Sequence, residues 1–255
     1  MSMKNLFDIS GRKALVTGAG RGIGKVLALT LAEAGCDVAL FGLHKQNLEE
    51  VAAQIRNSGV RSLVFEGDVS WRGDVQKAFS GIARDFGRLD ICINNAGISM
   101  QQSVEEVPEE DWDQIMDINM KGVFLCSQEA ARLMIPQKSG CIINIGSISA
   151  RTVNVPQKQA VYNTSKAGVV MLTQAMAVEW APYGIRVNSI SPGYMKTEMT
   201  ISAMSKLFPV WESLTPLGRL GEPEELRGAL VYLASDASSY TIGHDLVVDG
   251  GYTIR

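Results

Sequence analysis

The feature that most constrains the fold of this sequence is a regular alternation of short apolar runs with longer helical patterns. Seven runs have the length and composition of buried strands, and they lie at residues 14–17, 38–41, 63–65, 91–94, 142–145, 187–190 and 246–248. Strand–helix units repeated at this spacing build a parallel sheet with helices on both faces. We therefore expect one α/β domain over residues 1–255, with three layers and a doubly wound parallel sheet of about seven strands.

Length and composition agree with a single soluble domain. The chain has 255 residues, of which 46% are hydrophobic, and a formal net charge of −3. This balance, without a basic face or run, argues against a nucleic-acid partner. No apolar run approaches the roughly 18 residues of a membrane span, and residues 1–13 do not resemble a signal peptide. We expect a cytoplasmic protein that does not bind membranes.

The cysteines and histidines offer little to a metal site or a hydrolase. The four cysteines form no C-x-x-C pair and stand in apolar surroundings, so we expect buried, reduced thiols. The chain has only two histidines, too few for a typical zinc site or a histidine-based hydrolase. No metal is expected.

A glycine-rich turn follows the first strand and opens the first helix, with the sequence Thr17-Gly18-Ala19-Gly20-Arg21-Gly22-Ile23-Gly24. A backbone without side chains can approach a pyrophosphate closely, and the helix N-terminus offers free N–H groups and a positive dipole end. The spacing is T-G-x-x-x-G-x-G rather than the commoner G-x-G-x-x-G. A plain β–α turn would not need four glycines. We expect a dinucleotide to be held here by Gly18, Arg21, Gly22, Ile23 and Gly24.

The second strand bears on which dinucleotide binds. NAD sites usually place a carboxylate at the end of this strand to hold the ribose hydroxyls. Asp37 precedes the strand and so lies at the wrong end of the sheet, and the expected place is near Gly42, which has no carboxylate. Arg21, His44 and Lys45 would supply positive charge for the extra phosphate of NADP. The sequence therefore favours NADP(H) over NAD(H), with solvated surface charge as the alternative interpretation of Arg21 and Lys45.

Two further strand ends are predicted to contact the dinucleotide. Asp68, followed by Val69, comes just after the third strand and can accept a hydrogen bond from the adenine amino group. The fourth strand ends in Asn94-Asn95-Ala96-Gly97, whose small residues let the backbone pass close to the cofactor. We expect Asp68, Val69, Asn95, Ala96 and Gly97 to line the site, and an ordinary satisfied turn is the alternative for each.

The predicted acid–base group is a tyrosine beside a lysine. Tyr162 and Lys166 are four residues apart at the start of a predicted helix and therefore share one face. A cation about 5 Å away should lower the pKa of the phenol from about 10 toward neutrality. Such a phenol can donate a proton to a carbonyl oxygen or take one from an alcohol. Pairs of this kind are common by chance, so the neighbouring residues must support the interpretation.

Two polar residues give that support. Ser147 ends a buried strand at the carboxyl edge of the sheet, where its hydroxyl can hydrogen-bond a substrate oxygen and stabilise charge developing there. Asn119 is a polar residue within an apolar helical stretch, and its amide can hold a water that relays protons to Lys166. A structural hydrogen bond to the backbone is the alternative role for Asn119.

Residues 194–220 interrupt the alternation of strands and helices. The segment carries large apolar side chains, including Met195, Phe208 and Trp211, in a connection between strands that would ordinarily be shorter. It is either an amphipathic packing segment or a mobile lid over a pocket. A lid is plausible in position because such folds bind ligands beyond the carboxyl ends of their strands.

Taken together, these residues resemble the short-chain dehydrogenase/reductase family over nearly the whole chain. The matching motifs are Thr17-Gly18-x-x-x-Gly22-x-Gly24, Asn94-Asn95-Ala96-Gly97, Asn119, Ser147, Tyr162-x-x-x-Lys166, and Ser191-Pro192-Gly193 followed by Thr197. The resemblance implies a Rossmann fold with seven parallel strands, usually in a homotetramer or dimer. It also implies that Pro192, Gly193 and Thr197 contact the cofactor.

The same resemblance implies a role for each reacting residue. Tyr162 is the acid–base group and, with Lys166, also contacts the nicotinamide ribose; Ser147 orients the substrate and Asn119 supports a proton relay. In many relatives, including acyl-carrier-protein ketoreductases, the serine lies 13 residues before the tyrosine, a spacing that Ser149 has here. Ser147, at 15 residues, is preferred because it directly ends the strand.

The segment after the serine is similar to that of sugar-alcohol enzymes of the galactitol, mannitol and sorbose type. The similarity extends to residues 191–194, 215–219 and 248–253. It implies a polyol substrate bound by side chains that include Ser149, Asn154, Gln159 and Tyr194. Gln157 is a further polar candidate, and loop solvation is the alternative for the amides.

The sequence thus predicts an oxidoreductase that transfers hydride between a nicotinamide dinucleotide and a carbonyl/alcohol pair, most simply a polyol and its ketose. A 3-oxoacyl thioester is the alternative substrate. A different class, a non-enzymatic dinucleotide-binding sensor, would have no need to keep Asn119, Ser147, Tyr162 and Lys166 together. A serine hydrolase is disfavoured because Ser147 lacks the G-x-S-x-G elbow.

Overall fold

The computed structural model of the protein describes residues 3–255, and the side chains of residues 5–198, 200–202 and 204–255. The strands are β1 (Lys13–Thr17), β2 (Asp37–Gly42), β3 (Ser62–Glu66), β4 (Ile91–Asn94), β5 (Gly140–Ile145), β6 (Ile185–Pro192) and β7 (Asp245–Val248). The helices are α1 (Met3–Leu6), α2 (Gly22–Glu33), α3 (Lys45–Asn57), α4 (Arg72–Phe86), α5 (Glu109–Met116), α6 (Gly122–Gln137), α7 (Ala160–Trp180), α8 (Glu198–Met204), α9 (Phe208–Leu214) and α10 (Arg227–Ala234).

The strands form one parallel sheet in the order β3-β2-β1-β4-β5-β6-β7. The chain starts in the middle and winds outward in both directions, so the order reverses between β1 and β4. A crevice opens at such a reversal beyond the carboxyl ends of the strands. All seven predicted strands are present, each within two residues of its expected bounds, and the predicted fold class is confirmed.

Each face of the sheet has its own apolar core, which is why the strands are apolar throughout. Neighbouring residues Leu15 and Val16 of β1 point into different clusters and are both fully buried. Helices α2, α3 and α10 cover one face, while α4, α6 and α7 cover the other. The result is the three-layer arrangement expected from the sequence.

The helical pattern near residues 108–133 has a different course from the prediction. It begins at Glu109, immediately after Pro108, and extends to Gln137, four residues beyond the expected end. A π-helical turn over Asp117–Lys121 separates α5 from α6. Such turns insert one extra residue into a helix and occur frequently at functional sites. The apolar periodicity of the sequence gave no sign of this insertion.

The four cysteines are buried, as predicted, and none is in a disulfide. Burial raises the pKa of the Cys36 thiol to about 12, so that thiol is neutral and unreactive near pH 7. Within residues 3–255, none of the helices has the length and apolar character that crossing a membrane would require.

Candidate active site

A cavity of about 370 Å³ lies beyond the carboxyl ends of strands β1 to β6. Most residues predicted to contact cofactor or substrate line it. Those residues are Gly18, Arg21, Gly22, Ile23, Gly24, Gly42, His44, Asp68, Val69, Asn95, Ala96, Gly97, Ser147, Ser149, Asn154, Gln159, Tyr162, Lys166, Pro192, Gly193, Tyr194 and Thr197. Asn119 is fully buried and does not line the cavity.

The glycine-rich turn forms one end of the cavity from backbone alone. Gly18 and Gly22 adopt positive φ values of 62° and 52°, which side chains rarely permit. At Gly24 a Cβ atom would overlap the carbonyl oxygen of Gly18 and the side chain of Asn95. Helix α2 begins at Gly22 without a side-chain cap from Arg21, so its first N–H groups remain available. A shallow, uncapped cradle of this kind fits the pyrophosphate of a dinucleotide.

The carboxyl end of β2 also lines the part of the cavity that is predicted to bind the dinucleotide. Gly42 lies at the carboxyl end of this strand and lines the cavity together with His44. Asp37 lies at the opposite end, where its carboxylate accepts a hydrogen bond of 2.7 Å from Lys13 Nζ. The expectation that Asp37 is remote from the site is therefore correct. Lys45, offered as a further positive group, begins α3 and does not line the cavity.

Asn95 and Thr17 fix the loop that follows β4 against the glycine-rich turn. The Thr17 hydroxyl accepts hydrogen bonds of 3.0 Å from the backbone N–H groups of Asn95 and Ala96. In return, the Asn95 side-chain amide donates to the carbonyl oxygens of Thr17 and Gly18. These bonds hold two strand ends at a fixed separation, which keeps the cradle rigid.

Tyr162 and Lys166 lie on one face of α7, as their spacing requires. Lys166 Nζ is 5.8 Å from the centre of the Tyr162 ring and donates a hydrogen bond of 2.8 Å to the carbonyl oxygen of Ile145. Burial lowers the pKa of Lys166 to about 8, because a low-dielectric site disfavours the ammonium form.

The expected lowering of the tyrosine pKa is wrong for the chain by itself. Burial raises the pKa of Tyr162 above its usual value, and a hydrogen bond with Ser147 lowers it in part. Lys166 does not reverse this effect, and its ammonium donates its hydrogen bond to the carbonyl of Ile145. The phenol is therefore neutral near pH 7, which is the form that donates a proton.

The structure separates the two candidate serines. Ser147 directly follows β5, pairs with the Tyr162 hydroxyl and accepts a hydrogen bond of 3.1 Å from the backbone N–H of Ser149. The Ser149 hydroxyl instead donates to Asn154 Oδ1 at 2.6 Å. Ser147 is thus placed beside the phenol, and Ser149 belongs to the polar network described next.

The end of the cavity that holds Ser147 and Tyr162 is called the substrate end. A connected network of five polar side chains lies there, and we call it the amide roof: Ser149, Asn154, Gln157, Gln159 and Tyr194. The Tyr194 hydroxyl accepts hydrogen bonds from Asn154 Nδ2 (2.9 Å) and Gln157 Nε2 (2.6 Å). Gln159 Nε2 donates to Ser149 Oγ (2.9 Å) and Asn154 Oδ1 (3.0 Å). Most of these groups are buried and bonded to one another, so the roof is pre-organised rather than free to rearrange.

Trp211 anchors the roof and was not predicted as a site residue. Its ring stacks on Tyr194, with ring centres 4.0 Å apart and an angle of 4° between the planes. Its indole N–H donates to Gln157 Oε1 at 3.1 Å. Trp211 belongs to α9, within the segment of residues 194–220. Large apolar residues in an overlong connection were the sequence signal, but they did not indicate which side chain would reach the site.

Asn119 lies in the π-helical turn and makes a different set of bonds from the predicted one. Its Oδ1 accepts from the backbone N–H of Ile98 (2.9 Å), and its Nδ2 donates to the carbonyl of Ile98 (2.9 Å) and to Ser165 Oγ (3.0 Å). The side-chain amide is therefore used to hold the loop after β4 against α7. These bonds agree with the structural role given above as the alternative, and the proton relay stays a prediction.

Comparisons with known proteins agree with this architecture. The chain matches a protein-family model described as enoyl-(acyl carrier protein) reductase over residues 18–253. A crystal structure of a short-chain type dehydrogenase/reductase from Mycobacterium marinum is 47% identical, covers 100% of both chains and gives a TM-score of 0.97.

Relatives with named activities also match over nearly the whole chain. Sorbose reductase of Candida albicans is 41% identical over 98% of this chain and 89% of that protein. Gluconate 5-dehydrogenase of Gluconobacter oxydans is 41% identical over 100% of this chain and 99% of that protein. Further relatives are named as NADP-dependent and NAD-dependent enzymes. The chain belongs to the short-chain dehydrogenase/reductase family and is an oxidoreductase that uses a nicotinamide dinucleotide.

Proposed function

We propose that the protein interconverts a polyol and its ketose with NADP(H). The observation that supports this most directly is the placement of the neutral amide roof at the same end of the cavity as Ser147 and Tyr162. A polyhydroxylated substrate needs several hydrogen-bond donors and acceptors next to the reacting carbon. The relatives named for sorbose, mannitol and galactitol act on compounds of this type.

In the reducing direction, each residue of the chain has a defined task. A nicotinamide dinucleotide held in the cavity would supply the hydride for the carbonyl carbon. Tyr162 donates its phenolic proton to the carbonyl oxygen, and the Ser147 hydroxyl hydrogen-bonds the same oxygen and stabilises the charge that develops there. Lys166, positioned by the carbonyl of Ile145, contributes positive charge and holds the nicotinamide ribose. The oxidising direction uses the same groups in reverse.

The preference for NADP(H) rests on the end of β2. Gly42 presents no carboxylate to the cavity, while His44 and Arg21 line it nearby. A carboxylate at this place would repel the additional phosphate, so its replacement by glycine removes a barrier.

Residues 194–220 act as the lid of the substrate end in this proposal. Met195, Met204 and Trp211 from this segment line the cavity, and closure would exclude water from the reacting carbonyl. We also propose a homotetramer or dimer. Helices α6 and α7 expose the apolar side chains of Phe124, Met171 and Val178, a surface that association would cover.

The test is a pair of titrations followed by an assay. NADPH and NADH are titrated separately against the purified protein by fluorescence, and a panel of 2-ketoses is then supplied with each. Ketose-dependent oxidation with NADPH as the preferred cofactor is the expected result. Cofactor binding without ketose turnover would contradict the polyol proposal. Turnover of an acetoacetyl thioester in its place would favour the 3-oxoacyl thioester, the alternative substrate given in the sequence analysis.

The Tyr162→Phe variant tests the assigned chemistry within the same assay. Loss of the phenolic proton should lower kcat by about 10³-fold, within the range of general acid catalysis. NADPH should bind with unchanged affinity, since the ring is retained. Activity close to that of the wild type would contradict the role of Tyr162.

A further inference from the structure

The substrate end of the cavity is lined mainly by neutral polar side chains. Its polar groups are the amides and hydroxyls of the amide roof, and burial raises the pKa of Tyr194, which keeps that hydroxyl neutral. Among the residues that the structure describes, the acidic and basic side chains that line the cavity are Arg21, His44, Asp68, Lys166 and Glu198. The first three lie at the dinucleotide end, and Glu198, the first residue of α8, is an anion.

Two cations in the segment that carries the roof amides, Arg151 and Lys158, are already engaged. Arg151 Nε donates a hydrogen bond of 2.7 Å to the buried carboxylate of Asp245. Lys158 Nζ donates to Ser103 Oγ at 2.6 Å, on the outer side of the roof. Neither cation lines the cavity. Lys166 is directed to the backbone of β5 and, in the proposed function, to the cofactor.

Overall similarity does not decide between neutral and acidic sugars. Sorbose reductase acts on a neutral ketose by its name, gluconate 5-dehydrogenase acts on a sugar acid, and both are 41% identical to this chain. The charges of the site itself must therefore decide. A carboxylate that is taken out of water without a cationic partner carries a large desolvation cost, whereas a hydroxymethyl group finds donors and acceptors in the roof.

We propose that the site selects neutral ketoses and polyols and discriminates against the corresponding sugar acids. This inference rests on the proposed function and specifies its substrate class. The neutral roof and the engaged cations, rather than the size of the cavity, set the selectivity.

L-sorbose and 5-keto-D-gluconate make a matched test, because they differ only in a terminal hydroxymethyl group or carboxylate. With NADPH and wild-type protein, we expect kcat/KM for L-sorbose to exceed that for 5-keto-D-gluconate by about 100-fold. Equal or better use of the sugar acid would overturn the proposal.

Binding of both compounds to the complex with NADP⁺ is measured in parallel by calorimetry. This arm separates the two possible failures. Absence of turnover for every ketose would contradict the proposed function, but tighter binding of L-sorbose than of 5-keto-D-gluconate would still support the charge argument. Equal or tighter binding of the acid would contradict it.

Ser99 provides a position for adding the missing charge. It is exposed, lines the cavity and belongs to the loop after β4. Nearby in the same loop, Gln101 Nε2 contacts Met204 Sδ in the lid, and the backbone N–H of Gln102 donates to the carbonyl of Lys158. The loop therefore runs along the substrate end, and a long side chain at residue 99 can extend into it.

The Ser99→Arg variant should raise kcat/KM for 5-keto-D-gluconate by about 10-fold, and added salt should reduce the gain because it screens the new charge. The matched Ser99→Gln variant adds similar length without charge and should give no gain. An equal gain in both variants would show that size, and not charge, limits the sugar acid, and would overturn the proposal.

Discussion

The two ends of the cavity are built from different parts of the chain. The dinucleotide end is made mainly of backbone, held by bonds such as those between Thr17 and Asn95. The substrate end is made of side chains that bond to one another, with Tyr194 accepting from two amides and stacking on Trp211. Backbone geometry tolerates few substitutions, whereas a side-chain network can be altered one bond at a time. The first end can therefore bind the shared cofactor throughout the family, and the second can define an individual substrate.

The largest effect on cofactor binding is expected from a substitution at Gly24, in the backbone-lined end of the cavity. A Gly24→Ala methyl group would overlap the carbonyl oxygen of Gly18, so the turn must shift and the cradle must open. We expect the Kd of NADPH to rise by at least about 100-fold, the size of effect expected when a backbone contact to phosphate is lost.

The control is Gly228→Ala, in α10, where an added Cβ meets no atom within 4 Å. It should leave the Kd unchanged and stabilise the helix slightly. Fluorescence titration measures both variants. An unchanged Kd in a folded Gly24→Ala protein would mean that the turn does not hold the cofactor.

A smaller effect on NADPH binding is expected when a charge is added at the dinucleotide end without straining the backbone. An added Cβ at Gly42 would make only ordinary contacts with Leu48 and Gly18, so Gly42→Asp is accommodated. Its carboxylate should raise the Kd of NADPH by about 30-fold through repulsion of the phosphate, with NADH affected much less. Gly42→Asn separates charge from size. An equal rise in the Kd of NADPH and of NADH would contradict the assignment of this position to the additional phosphate of NADP(H).

The contrast between the two ends of the cavity also explains which features of the fold and the site could be predicted from the sequence. The turn at Gly18–Gly24 was predictable because a backbone conformation requires glycine at particular positions, and the sequence displays those requirements directly. The same holds for the strands, whose buried faces demand continuous apolar runs. Family membership followed from motifs of this kind, and the comparisons confirm it.

The remaining features depend on which side chains meet in space. Gln157 and Trp211 are 54 residues apart, and no local pattern indicates that the indole N–H reaches the amide. The π-helical turn at Asn119 depends on one inserted residue within an unbroken helical pattern. The direction of the Tyr162 pKa was wrong because the prediction counted a neighbouring cation and left out the burial that outweighs it.

At the substrate end, we expect the loss of one hydrogen bond to have a moderate effect. Trp211→Phe removes the indole N–H that donates to Gln157 and reduces the stack on Tyr194. The KM for the ketose should rise by about 10-fold, the cost of leaving a buried amide oxygen unpaired, while the Kd of NADPH stays constant.

Two further variants sharpen this result. Trp112→Phe, on the exposed face of α5, is the matched control and should change neither quantity. In the Trp211→Phe protein, Gln157→Ala should raise the KM for the ketose by a smaller factor than it does in the wild type, because both changes remove the same hydrogen bond. A rise in the Kd of NADPH equal to the rise in KM would mean that the two ends are not independent.

The smallest effect concerns Lys166, which lies where the two ends meet. Its pKa is lowered to about 8 by burial, below the usual value of 10.5, so between these values the unfolded chain binds a proton that the folded chain has released. Stability contributed by this group therefore rises with pH across that window, by about 1 kcal/mol from pH 8 to pH 9. Urea unfolding of the wild type and of Lys166→Met, without cofactor, should show this gain only in the wild type. Subtracting the two curves removes the titration of all other groups, and parallel curves would mean that burial does not lower the pKa of Lys166. A lysine kept charged at neutral pH at the expense of stability is expected of a residue that serves the reaction rather than the fold.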